Sequence, residues 1–153
     1  MRIGATIGLP DVLRSLGEDP AEVLAELGLG LELFDDPNNR ISYQDRGHLM
    51  AYCAERTGCR HFGLLVGQRA GLLSFGFVGL LAKYSPTLGS ALNSLMRYIH
   101  LHVRGATVAL AIDSDLAVFE YLIYQYRAQG NEQVGDGAVA VAFNIVSELC
   151  GKD

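Results

Sequence analysis

Two pairs of residues have the types and closeness that a metal site uses: Cys59 with His61, and His100 with His102. Two residues apart on a helix project about 200° from each other, so His100 and His102 share an ion only where the helix has already ended. Cys59-x-His61 has no second local pair to complete a tetrahedral site. No metal is expected. For acyl transfer there is no G-x-S-x-G turn, and none of the three cysteines stands in a recognisable Cys/His setting. The 18 glycines never form G-x-G-x-x-G or G-x-x-x-x-G-K-[ST], which leaves nucleotide phosphates without a cradle. Asp35-Asp36 falls among turn formers, where solvation is its ordinary role. The expectation is a chain that is not an enzyme and carries no cofactor. Tyrosines remain: Tyr121 lies on one face of a β-rich run, Tyr124 and Tyr126 on the other. A buried tyrosine needs a partner for its hydroxyl, so these residues either meet water at a sheet edge or line a pocket.

The elements that must position such residues come from a chain of 153 residues, 50% hydrophobic and 19% charged. That length suits one domain, which buries roughly 70% of its unfolded surface without a disulfide scaffold. An odd cysteine count and the early break at Pro10-Asp11 point away from secretion and toward a reducing cytoplasm. The longest uncharged run, Ala70 to Ala82, falls short of the roughly 20 residues of a membrane span. Net charge is -5, which argues against nucleic-acid binding by this chain alone. It is unevenly spread: residues 1–36 sum to -6, residues 37–104 to +6 and residues 105–153 to -5. Such a basic middle either attracts an anion or packs against the acidic segments.

Helical spacing of Leu9, Val12, Leu13 and Leu16 ends at Gly17; a second short helix opens at Asp19-Pro20, buries Val23, Leu24 and Leu27 and stops at Gly28. Asp35 to Asn39 predicts a loop. Ser42 can cap a helix to about Thr57, with Leu49, Met50, Cys53 and Ala54 inward and Gln44, Arg46, Glu55 and Arg56 outward. Phe62 to Val66 predicts another helical turn or two, and Gly71 to Leu81, with no polar face, predicts burial on every side. Ser85 as cap and Pro86 at the first position open the clearest helix. Its buried stripe is Leu88, Ala91, Leu92, Leu95, Met96, Ile99 and Val103; Asn93, Arg97, His100 and Arg104 line the other side, and Gly105 stops it. The period then switches to two: Val108, Leu110 and Ile112 alternate, Asp113-Ser114-Asp115 turns, and Leu116 to Tyr126 returns as a second strand. Asn131 can cap a last helix carrying Ala138, Val141, Ala142, Ile145 and Leu149 to Gly151. This order predicts an α+β fold in one domain, a helical part over 1–105 followed by an antiparallel β-hairpin or sheet covered by helices over 106–153. Two strands make a marginal sheet, so further strands, a second chain or a longer parent protein are implied.

Ile7-Gly8-Leu9-Pro10-Asp11-Val12-Leu13, Gly28-Leu29, Ile41-Ser42-Tyr43 and His61-Phe62-Gly63-Leu64-Leu65-Val66-Gly67 join a longer run, Gly79-Leu80-Leu81-Ala82-Lys83-Tyr84-Ser85-Pro86-Thr87-Leu88-Gly89-Ser90-Ala91-Leu92. Together they resemble the N-terminal sensor domain, of the arabinose-binding-like class, of AraC/XylS-type transcription regulators. The resemblance covers nearly the whole chain and rests on packing and capping signals. It implies a domain that takes a small-molecule effector or mediates homodimerisation, with DNA bound only through a C-terminal helix-turn-helix domain. No such domain precedes the end at Lys152-Asp153, so a fragment is expected.

The resulting expectation is a cytoplasmic effector-sensing and dimerisation domain, without membrane contact. Its pocket would lie between the helical half and the sheet, bounded by Phe75, Val78, Leu95, Ile99, His102 and Tyr121, with Arg97 or His100 available to an anion. Core packing is the plainer role for each. A fainter resemblance, to haem nitric-oxide/oxygen sensing domains, would make His102 an axial ligand; Tyr121-Leu122-Ile123-Tyr124-Gln125 keeps the tyrosine of their Tyr-x-Ser-x-Arg motif and loses the serine and arginine. A dimerisation module without a ligand is the third reading.

Overall fold

The computed structural model describes residues 1–151; Lys152 and Asp153, the end of the expected 1–153 domain, lie outside the described residues. Helices α1 (Leu9–Ser15) and α2 (Pro20–Ala25) form as their spacing requires, and the Asp19 carboxylate caps α2 by accepting from the Ala21 amide at 2.8 Å. Ser42 caps α3 (Tyr43–Thr57) through the Asp45 amide at 2.9 Å, and Gly58 ends it in the left-handed conformation. Short α4 (Phe62–Gly67) follows, then a 3-10 turn into α5 (Gly76–Lys83). Next come α6 (Leu88–Tyr98), the hairpin β1 (Ala106–Asp113) and β2 (Leu116–Ile123), and the long α7 (Asn131–Cys150). Among the described residues the sheet is this antiparallel hairpin, with Val108 opposite Tyr121 and Leu110 opposite Phe119. The fold is α+β, a helical N-terminal half followed by a hairpin that helices cover.

Four local expectations are corrected. Thr87, not Ser85, caps α6, because its hydroxyl reaches the Ser90 amide at 3.1 Å while Ser90 reaches back, closing a capping box two residues later. That helix ends at Tyr98 and tightens into a 3-10 turn over Ile99–Leu101, so the stop precedes Gly105. Gly130 takes the position before α7 and leaves Asn131 inside it, where its amide donates to the Gln125 carbonyl and its oxygen accepts from the Tyr43 hydroxyl. The apolar run 71–81 is not buried all round: Leu73 and Phe77 are 67% and 78% exposed, because the 3-10 turn and α5 present only one stripe to the core.

Two buried clusters make the interior. One gathers Leu9, Leu13, Leu24, Leu49, Met50 and Phe62 under α1 to α4; the other gathers Phe75, Val78, Leu92, Leu95, Val141 and Ile145 under α5, α6 and the hairpin. Helix α7 packs against α4 at glycine distance. A Cβ at Gly63 would collide with the Gln133 backbone, and one at Gly67 with the backbone of Gly137. Side chains of α7 then satisfy both ends of α4. Gln133 accepts from the Gly63 amide at 2.7 Å and donates to the Arg60 carbonyl at 2.9 Å, while Asn144 donates to the carbonyls of Gln68 and Ala70 at 3.1 and 2.8 Å. A six-residue helix is too short to hold itself in water, so α4 stays formed through the burial of Phe62 and Val66 together with this clip.

Candidate ligand cavity

Where the two clusters meet, the side chains leave a hollow. A water-sized sphere can place its centre within about 70 Å³ of it, and the wall is overwhelmingly apolar. That is about five times the space one water needs. Helix α3 supplies Arg46 and Met50; the end of the 3-10 turn, α6 and its extension supply Phe75, Leu95 and Ile99. The hairpin contributes Val108, Phe119 and Tyr121 from its inward face, and α7 contributes Val134, Val141 and Ile145. Polar side chains on this wall are few. Thr6 spends its hydroxyl on the Ile3 carbonyl at 3.0 Å, and Gln133 is committed to α4.

Of the residues expected to bound a pocket, Phe75, Leu95, Ile99 and Tyr121 are brought together on this wall. Val78, Arg97 and His102 are not. Val78 is buried in the packing of α5, and Arg97 lies exposed on α6 with its guanidinium over the Tyr98 ring, 5.6 Å from the centroid. His102 is buried just past the 3-10 turn, its ring edge-on to Phe75 at 5.7 Å. Burial, with the positive charge of Arg2 beside it, holds its pKa down near 4. His100, two residues earlier, is exposed, and among the described residues no three His, Cys, Asp or Glu side chains converge. A haem does not fit these residues: His102 stands off the cavity wall, and among the described residues Arg46 is the one cation there for two propionates. Tyr124 ends outside β2, half exposed, its hydroxyl accepting from the Gly105 amide at 2.9 Å, and Tyr126 is exposed. Of these three tyrosines, Tyr121 is the one that lines the hollow.

The expectation that Arg46 points outward is overturned. It is 4% exposed, its guanidinium lies 5.3 Å from the centre of the Tyr43 ring, and among the described residues nothing accepts from its Nε or Nη2. Tyr43 is itself braced by donating to Asn131 at 2.9 Å, and burial pushes its pKa up. The spacing held the signal. Arg46, Leu49, Met50 and Cys53 stand at i, i+3, i+4 and i+7, the buried stripe of α3, and residue type alone argued for the surface. By contrast Arg56, on the exposed face, pairs with Glu18 at 3.1 Å and Glu26 at 2.8 Å. Part of the basic middle of the chain therefore packs against its acidic start. Cys53 is buried with its thiol pushed up to about 12 by desolvation, which leaves it a small apolar group and no nucleophile.

Comparison with known proteins adds a family. The model described as "Arabinose-binding domain of AraC transcription regulator, N-term" matches residues 17–153. The chain is 24% identical over 121 residues to the ornithine utilization regulator of Pseudomonas aeruginosa, which covers 79% of this chain and 36% of that protein. It is 25% identical over 104 residues to the HTH-type transcriptional regulator VirS of Mycobacterium tuberculosis, covering 68% of this chain and 31% of that one. The chain thus spans about a third of the length of these relatives. No helix of the described residues is long and apolar enough to cross a membrane.

Proposed function

The chain belongs to the N-terminal arabinose-binding domains of AraC transcription regulators, and from that premise we propose that it is a single, non-enzymatic effector-sensing unit working in the cytoplasm. A small molecule enters the hollow between the two cores, and its binding biases a helix-turn-helix domain that contacts DNA on the chain's behalf. The observation that carries this reading is a cavity walled by α3 and α4 from the first half and by α6, the hairpin and α7 from the second, so that filling it couples both halves of the molecule. Binding shifts an equilibrium only through its difference in affinity for the two arrangements. The family's name invites a sugar. The wall argues for a less polar effector, since each buried sugar hydroxyl needs a partner and the polar groups here are few and partly spent.

A thermal-shift panel of sugars, amino acids and organic acids tests this. One class is expected to raise the melting temperature by about 5 °C or more at saturating concentration, and Tyr121→Ala is expected to lose that response. A flat panel overturns the sensing role.

Homodimerisation is the second part of the proposal. Val139 and Phe143, one turn apart on the outer side of α7, are 64% and 72% exposed, an apolar pair that a neighbouring copy would cover. Light scattering is expected to give twice the monomer mass for this chain and the monomer mass for Phe143→Glu. A monomer before substitution removes this part and leaves the sensor intact.

A further inference from the structure

From the unpartnered edge of Arg46 we infer that the effector is a small organic monocarboxylate with an apolar body, its carboxylate held by Arg46 and its body among the side chains of the hollow. This deepens the sensing role proposed above and rests on it. Nε and Nη2 of a guanidinium lie on one edge and present two parallel N–H groups. That fork matches the two oxygens of a carboxylate. Both of these atoms, and they together, are buried without an acceptor among the described residues. The chain has built the geometry of a carboxylate clamp and supplied no carboxylate to it. Arginine stays charged at any accessible pH, so a buried guanidinium cannot escape its cost by losing a proton and must find an anion or a dipole.

The rest of the wall narrows the class. Among the described residues Arg46 is the one charged residue lining the cavity, so a single negative charge neutralises it, whereas a phosphate dianion leaves excess charge in an apolar space. With no Asp or Glu on the wall among the described residues, the ammonium group of an amino acid has no carboxylate to pair with. Facing side chains such as Leu95, Ile99, Val141 and Ile145 offer only dispersion and burial, which suits a hydrocarbon body. The volume open to a water-sized sphere, about 70 Å³, suits a compact acid. Tyr43 sets the clamp's position. Its ring stacks under the guanidinium and its hydroxyl is tied to α7 through Asn131, so Arg46 is held before any ligand arrives.

The test is a matched series on this chain: 4-methylpentanoate, its neutral amide, and leucine, which is the same acid carrying an ammonium group, with inorganic phosphate as the anion lacking an apolar body. Calorimetry and melting temperature are read at neutral pH. The acid is expected to bind about tenfold or more tightly than each of the other three. Arg46→Met is expected to abolish binding of the acid while leaving the melting temperature of the free chain unchanged or raised, because an uncompensated charge has been removed. Arg46→Lys keeps the charge, loses the fork and is expected to weaken the acid about tenfold. If the amide binds as well as the acid, or Arg46→Met retains the acid, the carboxylate assignment is overturned and the sensing role stands. The same holds if this series fails while other members of the broader panel bind. If nothing in either set binds, both fall together.

Discussion

Gly63→Ala is expected to destabilise the chain by about 3 kcal/mol, while Gly135→Ala, on the helix that Gly63 packs against, is expected to stabilise it by about 0.5–1 kcal/mol. The substitution is the same and the sign opposite, for a reason the packing supplies. A Cβ on Gly63 meets the backbone carbonyl of Gln133, which cannot rotate away as a side chain could. Helices α4 and α7 would have to part, and the Gly63 amide would lose its bond to the Gln133 side chain. Gly135 sits in the same α7 with nothing within reach of an added methyl, so there the gain is the conformational freedom removed from the unfolded chain. Urea denaturation followed by circular dichroism measures both. Equal effects at the two positions would mean that α4 and α7 are not packed at glycine distance.

Acidification from pH 7 to pH 4 is expected to remove about 3 kcal/mol through His102 alone. The folded-state pKa of His102 is held near 4, below its ordinary 6.5, by burial and by Arg2. Above pH 6.5 the imidazole is neutral in both states and the full contribution is present. As pH falls from there toward 4 the unfolded chain takes up a proton that the folded chain refuses, so stability declines through this window and levels off below it. His102→Leu keeps an apolar contact for Phe75 and has nothing to protonate. Its stability is expected to be flatter over the same window, by the amount the parent loses, in equilibrium denaturation at a series of pH values. An undiminished slope in the variant would assign the acid sensitivity to carboxylates elsewhere.

Much of this architecture can be read from local chemistry. Asp19-Pro20, Ser42 and Gly58 mark helix ends because each mark is a bond or dihedral settled within four residues. The hairpin is legible for the same reason: a period of two around Asp113-Ser114-Asp115 leaves little else for that stretch to do. Where reading fails, two local signals compete or the deciding partner is distant. Ser85-Pro86 reads as the start of α6, and the structure moves it because Ser90 closes the box on Thr87. The run 71–81 looks like an all-buried segment until the fold gives it a single neighbouring surface. Of the expected pocket, Phe75, Leu95, Ile99 and Tyr121 reach the wall because their spacing follows one stripe of α6 or one face of β2, or because they end the turn beside it. Arg46 was hidden by its type. Charge predicts solvent on average, and only the spacing with Leu49, Met50 and Cys53 opposed that inference.

The clip between α4 and α7 has a mechanical side. Fastened at Gln133 and Asn144 and pressed together along glycines, the two helices form a stiff anvil behind the hollow. Opposite stands a ribbon of two strands among the described residues, with a free outer face where Leu116 and Leu122 are 64% and 47% exposed. Of the two sides the ribbon is the more compliant, and its tip at Ser114 is wound into the left-handed backbone region.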